Sequence, residues 1–233
     1  MEVGAALGNT GLDCVMPAAG ASARMGAWKL ALPWRGGLAV EAAVAAALAA
    51  CRRVVLVAGY RAEVLEGLFA GEPRVAVVRN PDWERGMFSS IRRGAAALEG
   101  GPFFVSHADL PLTAPELYFR LDAARRGGQA RTPPQVAAYW RPTTEGLPGH
   151  PVLLPAQAAE RLAALDDGAS MRAVLAGFEA LSIPAAAADG AVRDLDRPED
   201  YFAGLAAADP AAAGPASGLR PFALVLTGSI GAG

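Results

Sequence analysis

The residues best suited to chemistry lie between Val15 and Leu30, in the stretch VMPAAGASARMGAWKL. An apolar run ends there in Ala18, Ala19, Gly20, Ser22 and Gly26, whose short side chains let backbone N–H groups come close to an anion. Arg24 and Lys29 follow and add positive charge for phosphate oxygens. Of the 21 Lys plus Arg in the chain, a single one, Lys29, is lysine. A composition that makes every other such cation an arginine, yet keeps an ammonium here, marks a site needing a compact charge on a flexible stem. A chance surface lysine is the plain alternative. The loop around it points to a cradle for a nucleotide's phosphates.

Four further candidates lie downstream. Asp109 stands in the segment His107-Ala108-Asp109-Leu110-Pro111 just after an apolar strand pattern, and Asp196 sits in Asp194-Leu195-Asp196-Arg197-Pro198. Either could be a turn or helix-capping aspartate. Between them in interest stands the block from Asn80 to Ile91, NPDWERGMFSSI. There Gly86 permits close backbone approach, and Ser89 and Ser90 open a helix whose N-terminus favours anions. Read alone, Asn80, Ser89 and Ser90 could simply cap that helix beside Trp83. His150, in Gly149-His150-Pro151, could equally be structural, and His107 suggests no role by itself.

Taken together, Ala18-Ala19-Gly20-x-Ser22-x-Arg24-Met25-Gly26-x-x-Lys29 resembles the signature loop of the MobA-like nucleotidyltransferases, most of all the molybdenum cofactor cytidylyltransferases. Pro17 departs from the pattern. The resemblance covers about Val15 to Phe202 and implies a loop that wraps an NTP triphosphate, with Arg24 and Lys29 on the phosphates. The guanylyltransferase branch usually has Ala-Gly-Gly where this chain has Ala18-Ala19-Gly20, which favours CTP over GTP. By the same resemblance Asp109 and Asp196 are metal ligands. Asn80, Gly86, Ser89 and Ser90 line the nucleotide and cofactor cleft, and His150 lies beside the second substrate. The implied reaction moves CMP from CTP to the phosphate of molybdopterin and releases pyrophosphate. A molybdenum hydroxylase or its maturation factors would be a downstream partner. Bringing two anions together calls for a hard cation, and Mg2+ takes one or two protein carboxylates with phosphates and water filling the rest. The opening loop is shared with sugar-phosphate and alcohol-phosphate nucleotidyltransferases, so those acceptors stay open, as does a carrier of molybdenum cofactor that does no chemistry.

The elements that must position these residues follow from periodicity. Apolar β-branched runs at Arg53–Gly59, Arg74–Val78 and Pro102–Ser106 alternate with helical patterns at Leu38–Cys51, Arg61–Phe69, Phe88–Leu98 and Glu116–Arg126. Strands without polar alternation are those of a sheet covered on both faces. The expected fold is therefore α/β: a Rossmann-like, doubly wound, mostly parallel sheet with ligands at the carboxyl ends of its strands. Later, short strands are expected at Gln135–Tyr139, Pro151–Leu154 and Val192–Leu195. Helices are expected at Ala156–Leu165 and Ser170–Phe178, with another beginning at Pro198.

The chain has 233 residues, 53% of them hydrophobic, and a net charge of −2. That length supports one main domain. Scattered arginines and a slight acidic balance argue against nucleic acid as a partner. No apolar run is long enough to span a membrane, and the first dozen residues lack the basic start of a signal peptide. Cys14 and Cys51 have no metal spacing and read as reduced core thiols in a cytoplasmic protein. The expected organisation is a lead over residues 1–13, a transferase domain over 14–206 and an Ala/Gly/Pro linker over 207–221. Over 222–233, Gly228-x-x-x-x-Gly233 imitates the start of a P-loop without its Lys and hydroxyl residue.

Overall fold

The computed structural model describes residues 8–22, 25–128, 137–166, 168–192 and 194–208. The expectations for Arg24, the start of the strand at Gln135, residues 1–7, most of the linker and the P-loop-like end lie outside these residues.

The first half of the chain follows the alternation expected. Strand β1 (Asp13–Ala18) leads through the candidate loop to a small hairpin of β2 (Pro33–Trp34) and β3 (Gly37–Leu38), then helix α1 (Ala39–Leu48). Next come β4 (Arg53–Ala58), α2 (Ala62–Phe69), β5 (Val75–Arg79), α3 (Met87–Ala95), β6 (Phe103–Val105) and α4 (Pro115–Gly128). The second half adds β7 (Ala138–Thr144), β8 (Leu147–Pro148), β9 (Val152–Leu154), α5 (Gln157–Ala164), α6 (Met171–Leu175), β10 (Glu179–Pro184) and α7 (Pro198–Ala208).

The main sheet has eight strands in the order β10-β7-β9-β6-β1-β4-β5, with β8 appended to β7. β6, β1, β4 and β5 pair in parallel, as do β10 and β7; β9 runs antiparallel to both its neighbours. β1 is the pivot. From it the chain moves out through β4 and β5, then returns to place β6 on its other side. At such a reversal the loops leaving the two neighbouring strands diverge and leave a crevice, where ligands of open α/β sheets bind.

Successive β1 residues face opposite layers, as strand geometry requires. Cys14 and Met16 pack with α1, α2 and α4, while Val15 packs with α3, α5 and α6. The alanines of α1 give it no strong polar face, which suits a helix pressed closely onto the sheet. α3 lies closer still: a Cβ on Gly94 would stand 2.5 Å from Val15 Cγ1 and 2.8 Å from Val57 Cγ2. A third, smaller cluster joins Met25, Leu32 and Trp34 after β1 to Leu195 and Tyr201 near the end of the described chain. Cys14 and Cys51 are free thiols in the core.

Two sequence expectations change. Val192–Leu195 forms no strand among the described residues; instead the Leu195 N–H donates to the Asp109 carbonyl at 3.2 Å. β10 was unexpected because its residues are mostly exposed or half-buried at the sheet's edge, so no apolar run announces it.

Candidate active site

The candidate loop leaves β1 at the pivot and is held in shape by its own small residues. Ser22 takes a left-handed φ of 57° and accepts a hydrogen bond from the Lys29 N–H through its Oγ at 3.1 Å. Its carbonyl accepts from the Met25 N–H at 2.9 Å. Gly26, with φ of 66°, turns the chain back where a β-carbon would be strained. These contacts return the backbone to the sheet so that Lys29 points across the strand ends.

Lys29 is the centre of the site. Its Nζ donates to Asp109 Oδ2 and, at 3.1 Å, to Asp196 Oδ1. The three residues are brought together from after β1, after β6 and before α7. Burial would lower the Lys29 pKa, but the Asp109 charge, hydrogen bonds to Asp109 and Asp196, and the Asp196 charge leave it raised above its ordinary value. The ammonium is therefore firmly protonated. Asp194, exposed but nearby, has its carboxyl pKa raised by partial desolvation first, then by the Asp196 and Asp109 charges, with Lys29 partly opposing them. This is a concentration of carboxylate oxygens already occupied by one cation. Hard oxygen donors flanking a positive charge suit Mg2+ or Mn2+, which typically use one or two protein carboxylates. The donor set thus fits a divalent ion shared with phosphates. Among the described residues no group of three or more His, Cys, Asp or Glu forms a self-sufficient metal cage.

A cavity of about 280 Å³ opens beside Lys29. Ala18, Ala19, Gly20, Lys29, Gly86, Ser90 and Asp109, all singled out in the sequence, line it together. Trp83 forms another part of its wall, and the sequence explains how it fits: a Cβ on Gly59 would stand 2.5 Å from Trp83 Cβ and Cγ and 2.8 Å from the Ala19 methyl. Trp83 also meets Tyr60, with ring centroids 6.2 Å apart.

Asn80 and Ser89 do not line this cavity. Asn80 Nδ2 donates to Ser89 Oγ at 2.9 Å and Ser90 Oγ at 3.0 Å, and Asn80 Oδ1 accepts from the Asp82 N–H at 3.1 Å. Ser89 Oγ in turn donates to the Gly86 carbonyl at 2.8 Å. The structure therefore gives Asn80 and Ser89 a bracing part, fixing Gly86 and the start of α3. Arg24 lies outside the described residues.

The His150 and His107 rings meet at a tilt, centroids 3.8 Å apart and planes at 34°. His150 Nδ1 is 3.4 Å from the Val105 carbonyl. Burial lowers the His107 pKa, with Asp109 opposing and Lys29 reinforcing the shift. Burial, then the neighbouring His107, lowers that of His150 to about 3. Both rings are neutral near pH 7, so no like-charge repulsion opposes their contact. His107, which the sequence left without a role, lines the Lys29 cavity and a second one next to it. Tyr139 and Arg141 line the second cavity and were not foreseen. The available signal was their two-residue spacing, which puts them on one face of β7.

Three comparisons bear on this arrangement. The sequence profile of the MobA-like NTP transferase domain matches residues 14–185. Over 191 residues the chain is 28% identical to the molybdenum cofactor cytidylyltransferase of Escherichia coli K12, covering 82% of this chain and 94% of that protein. Among solved structures, a nucleotidyl transferase from Methanothermobacter thermautotrophicus superposes with a TM-score of 0.66 at 23% identity, covering 82% of this chain and 94% of that one. A protein of Mycobacterium tuberculosis H37Rv in complex with manganese gives 0.63 at 21% identity, covering 84% and 97%.

Proposed function

The chain belongs to the MobA-like NTP transferase family, and from that premise we propose that it moves CMP from CTP to the terminal phosphate of molybdopterin, with Mg2+ and release of pyrophosphate. It is a nucleotidyltransferase by membership; the donor, acceptor and metal are the proposal. The observation that carries it is the meeting of Lys29, Asp109 and Asp196 at the reversal of the sheet. The likeness to a cytidylyltransferase across 82% of the chain supports the choice of nucleotide, as does Ala18-Ala19-Gly20.

In the proposed reaction an oxygen of the acceptor phosphate forms a bond to the α-phosphorus of CTP. The bond from that phosphorus to the oxygen bridging the β-phosphate breaks, and its electron pair leaves with pyrophosphate. No general base is needed, because a phosphate monoester is already ionised near neutral pH. That agrees with a site whose two histidines are neutral near pH 7. Lys29 keeps its proton, exchanges a carboxylate for phosphate oxygens, and offsets charge growing on the leaving group together with Arg24. Asp109 and Asp196 would hold the metal, which when bound supplies charge neutralisation between the two anionic substrates. Gly20 and the other small residues leave the loop's N–H groups open to the phosphates. Asn80 and Ser89 act indirectly, by bracing Gly86.

The test is pyrophosphate release from the purified chain with molybdopterin, Mg2+, and either CTP or GTP. Release with CTP, lost on adding EDTA and restored by excess Mg2+, is the expected result. Release with GTP alone would overturn the nucleotide choice but not the chemistry. Silence with both, but activity on sugar or alcohol phosphates, would overturn molybdopterin as acceptor.

A further inference from the structure

The second cavity, of about 290 Å³, shares only Met87 and His107 with the first. Ile91, Leu154, Met171 and Leu175 make much of its lining apolar, and against that background Arg141 is out of place. Its guanidinium carbon lies 5.8 Å from the centroid of the Tyr139 ring. No carboxylate or other hydrogen-bond acceptor among the described residues meets it, and its Nε is buried without a partner. Proteins leave few buried donors unsatisfied, and a guanidinium that lines a cavity with no acceptor beside it calls for a ligand that brings one. The guanidinium also presents a planar fork suited to two adjacent acceptors. The ring-bearing residues of the lining carry no full charge: Tyr139, and His107 and His150 with ring centroids 3.8 Å apart.

Building on the transferase reading, we propose that Arg141 selects the acceptor by its ring end. Its N–H groups donate to the lactam oxygen of a fused heterocycle, whose two lone pairs can accept from both arms of the fork. The acceptor then lies with its ring in the second cavity and its phosphate directed between Met87 and His107 toward Lys29. Arg141 is thus a specificity residue, distinct from those assigned to the nucleotide.

A titration that needs no turnover tests this. The fluorescence of 6-hydroxymethylpterin, a neutral pterin without phosphate, is followed as the whole chain is added, without nucleotide or metal. Saturable binding is expected, weakened about tenfold or more in Arg141→Leu, as loss of a bidentate contact predicts, and less in Arg141→Lys. The affinity for CTP should stay within about twofold, since Arg141 and the nucleotide share no contact in this arrangement and distant sites act independently. If Arg141→Leu fails to fold, Arg141→Gln carries the same comparison. Equal pterin binding by wild type and variant, or none by wild type, overturns the proposal. Arg141-dependent binding without pyrophosphate release would instead sink the cytidylyltransferase reading and leave this one standing.

Discussion

Lys29 holds both aspartates through one ammonium, so its loss removes a charge from the leaving group's position and leaves two carboxylates facing each other. Lys29→Met should lower kcat by about 10²–10³-fold, the usual loss for a preorganised electrostatic contact, while the KM for CTP changes much less. Initial rates across a CTP series check this, and an unchanged kcat removes Lys29 from the mechanism. His150 makes a different prediction. Its folded pKa is about 3, below the unfolded value near 6.5. Above that unfolded value both states are neutral and nothing is lost. Below it the unfolded chain binds a proton that the folded one refuses, so stability falls until pH reaches the folded pKa. The loss reaches at most about 2 kcal/mol at pH 5. His107 shifts in the same direction. Urea midpoints at pH 7 and pH 5 should therefore differ less in His150→Gln than in wild type.

At the scale of elements, what the sequence made legible depended on burial. β4 has a paired strand on each side and is nearly all core, so its apolar run was unmistakable, and β1 with its loop was equally plain. β10 covers one edge, and its half-exposed residues carry no such pattern. Val192 and Leu195 looked strand-like because both are apolar. Yet Leu195 is buried in the cluster around Trp34, and its N–H is used by the Asp109 carbonyl. The strand carrying Arg141 reads as ending at Tyr139, since Arg141 and Pro142 interrupt the apolar pattern. The partners of Lys29 were nameable; that it bridges them was not, because the contact spans 167 residues. Gly59 tests the link between element and site. A methyl there would meet Trp83 at 2.5 Å and Ala19 at 2.8 Å. Gly59→Ala should lower stability by about 1–3 kcal/mol through overpacking and raise the KM for CTP by displacing Trp83. Thermal melts paired with CTP titration read both, and an unshifted KM would mean that Trp83 does not shape the nucleotide's cavity.

Across the whole molecule, the site draws on both ends of the described chain. The loop after β1 and the segment before α7 are joined by the Lys29–Asp196 contact, by the cluster of Met25, Leu32, Trp34, Leu195 and Tyr201, and by the Tyr201 hydroxyl. That hydroxyl donates to the Pro33 carbonyl at 2.7 Å. Tyr201→Phe should cost about 0.5–1.5 kcal/mol, the net worth of one such bond, and lower turnover by loosening Asp196. A melt shifted without any change in turnover would show that α7 can slacken without disturbing the carboxylate. The shared domain matches only as far as residue 185, yet Asp196 and the packing that fixes it come afterwards. The likeness to the Escherichia coli relative takes in 191 residues and so runs past that point, and the end of the domain model is not the end of what the kin share. A graft that exchanged only residues 14–185 between two relatives would leave Lys29 and Asp109 facing an Asp196 segment that belongs to the recipient, so a working exchange has to carry the chain through Tyr201.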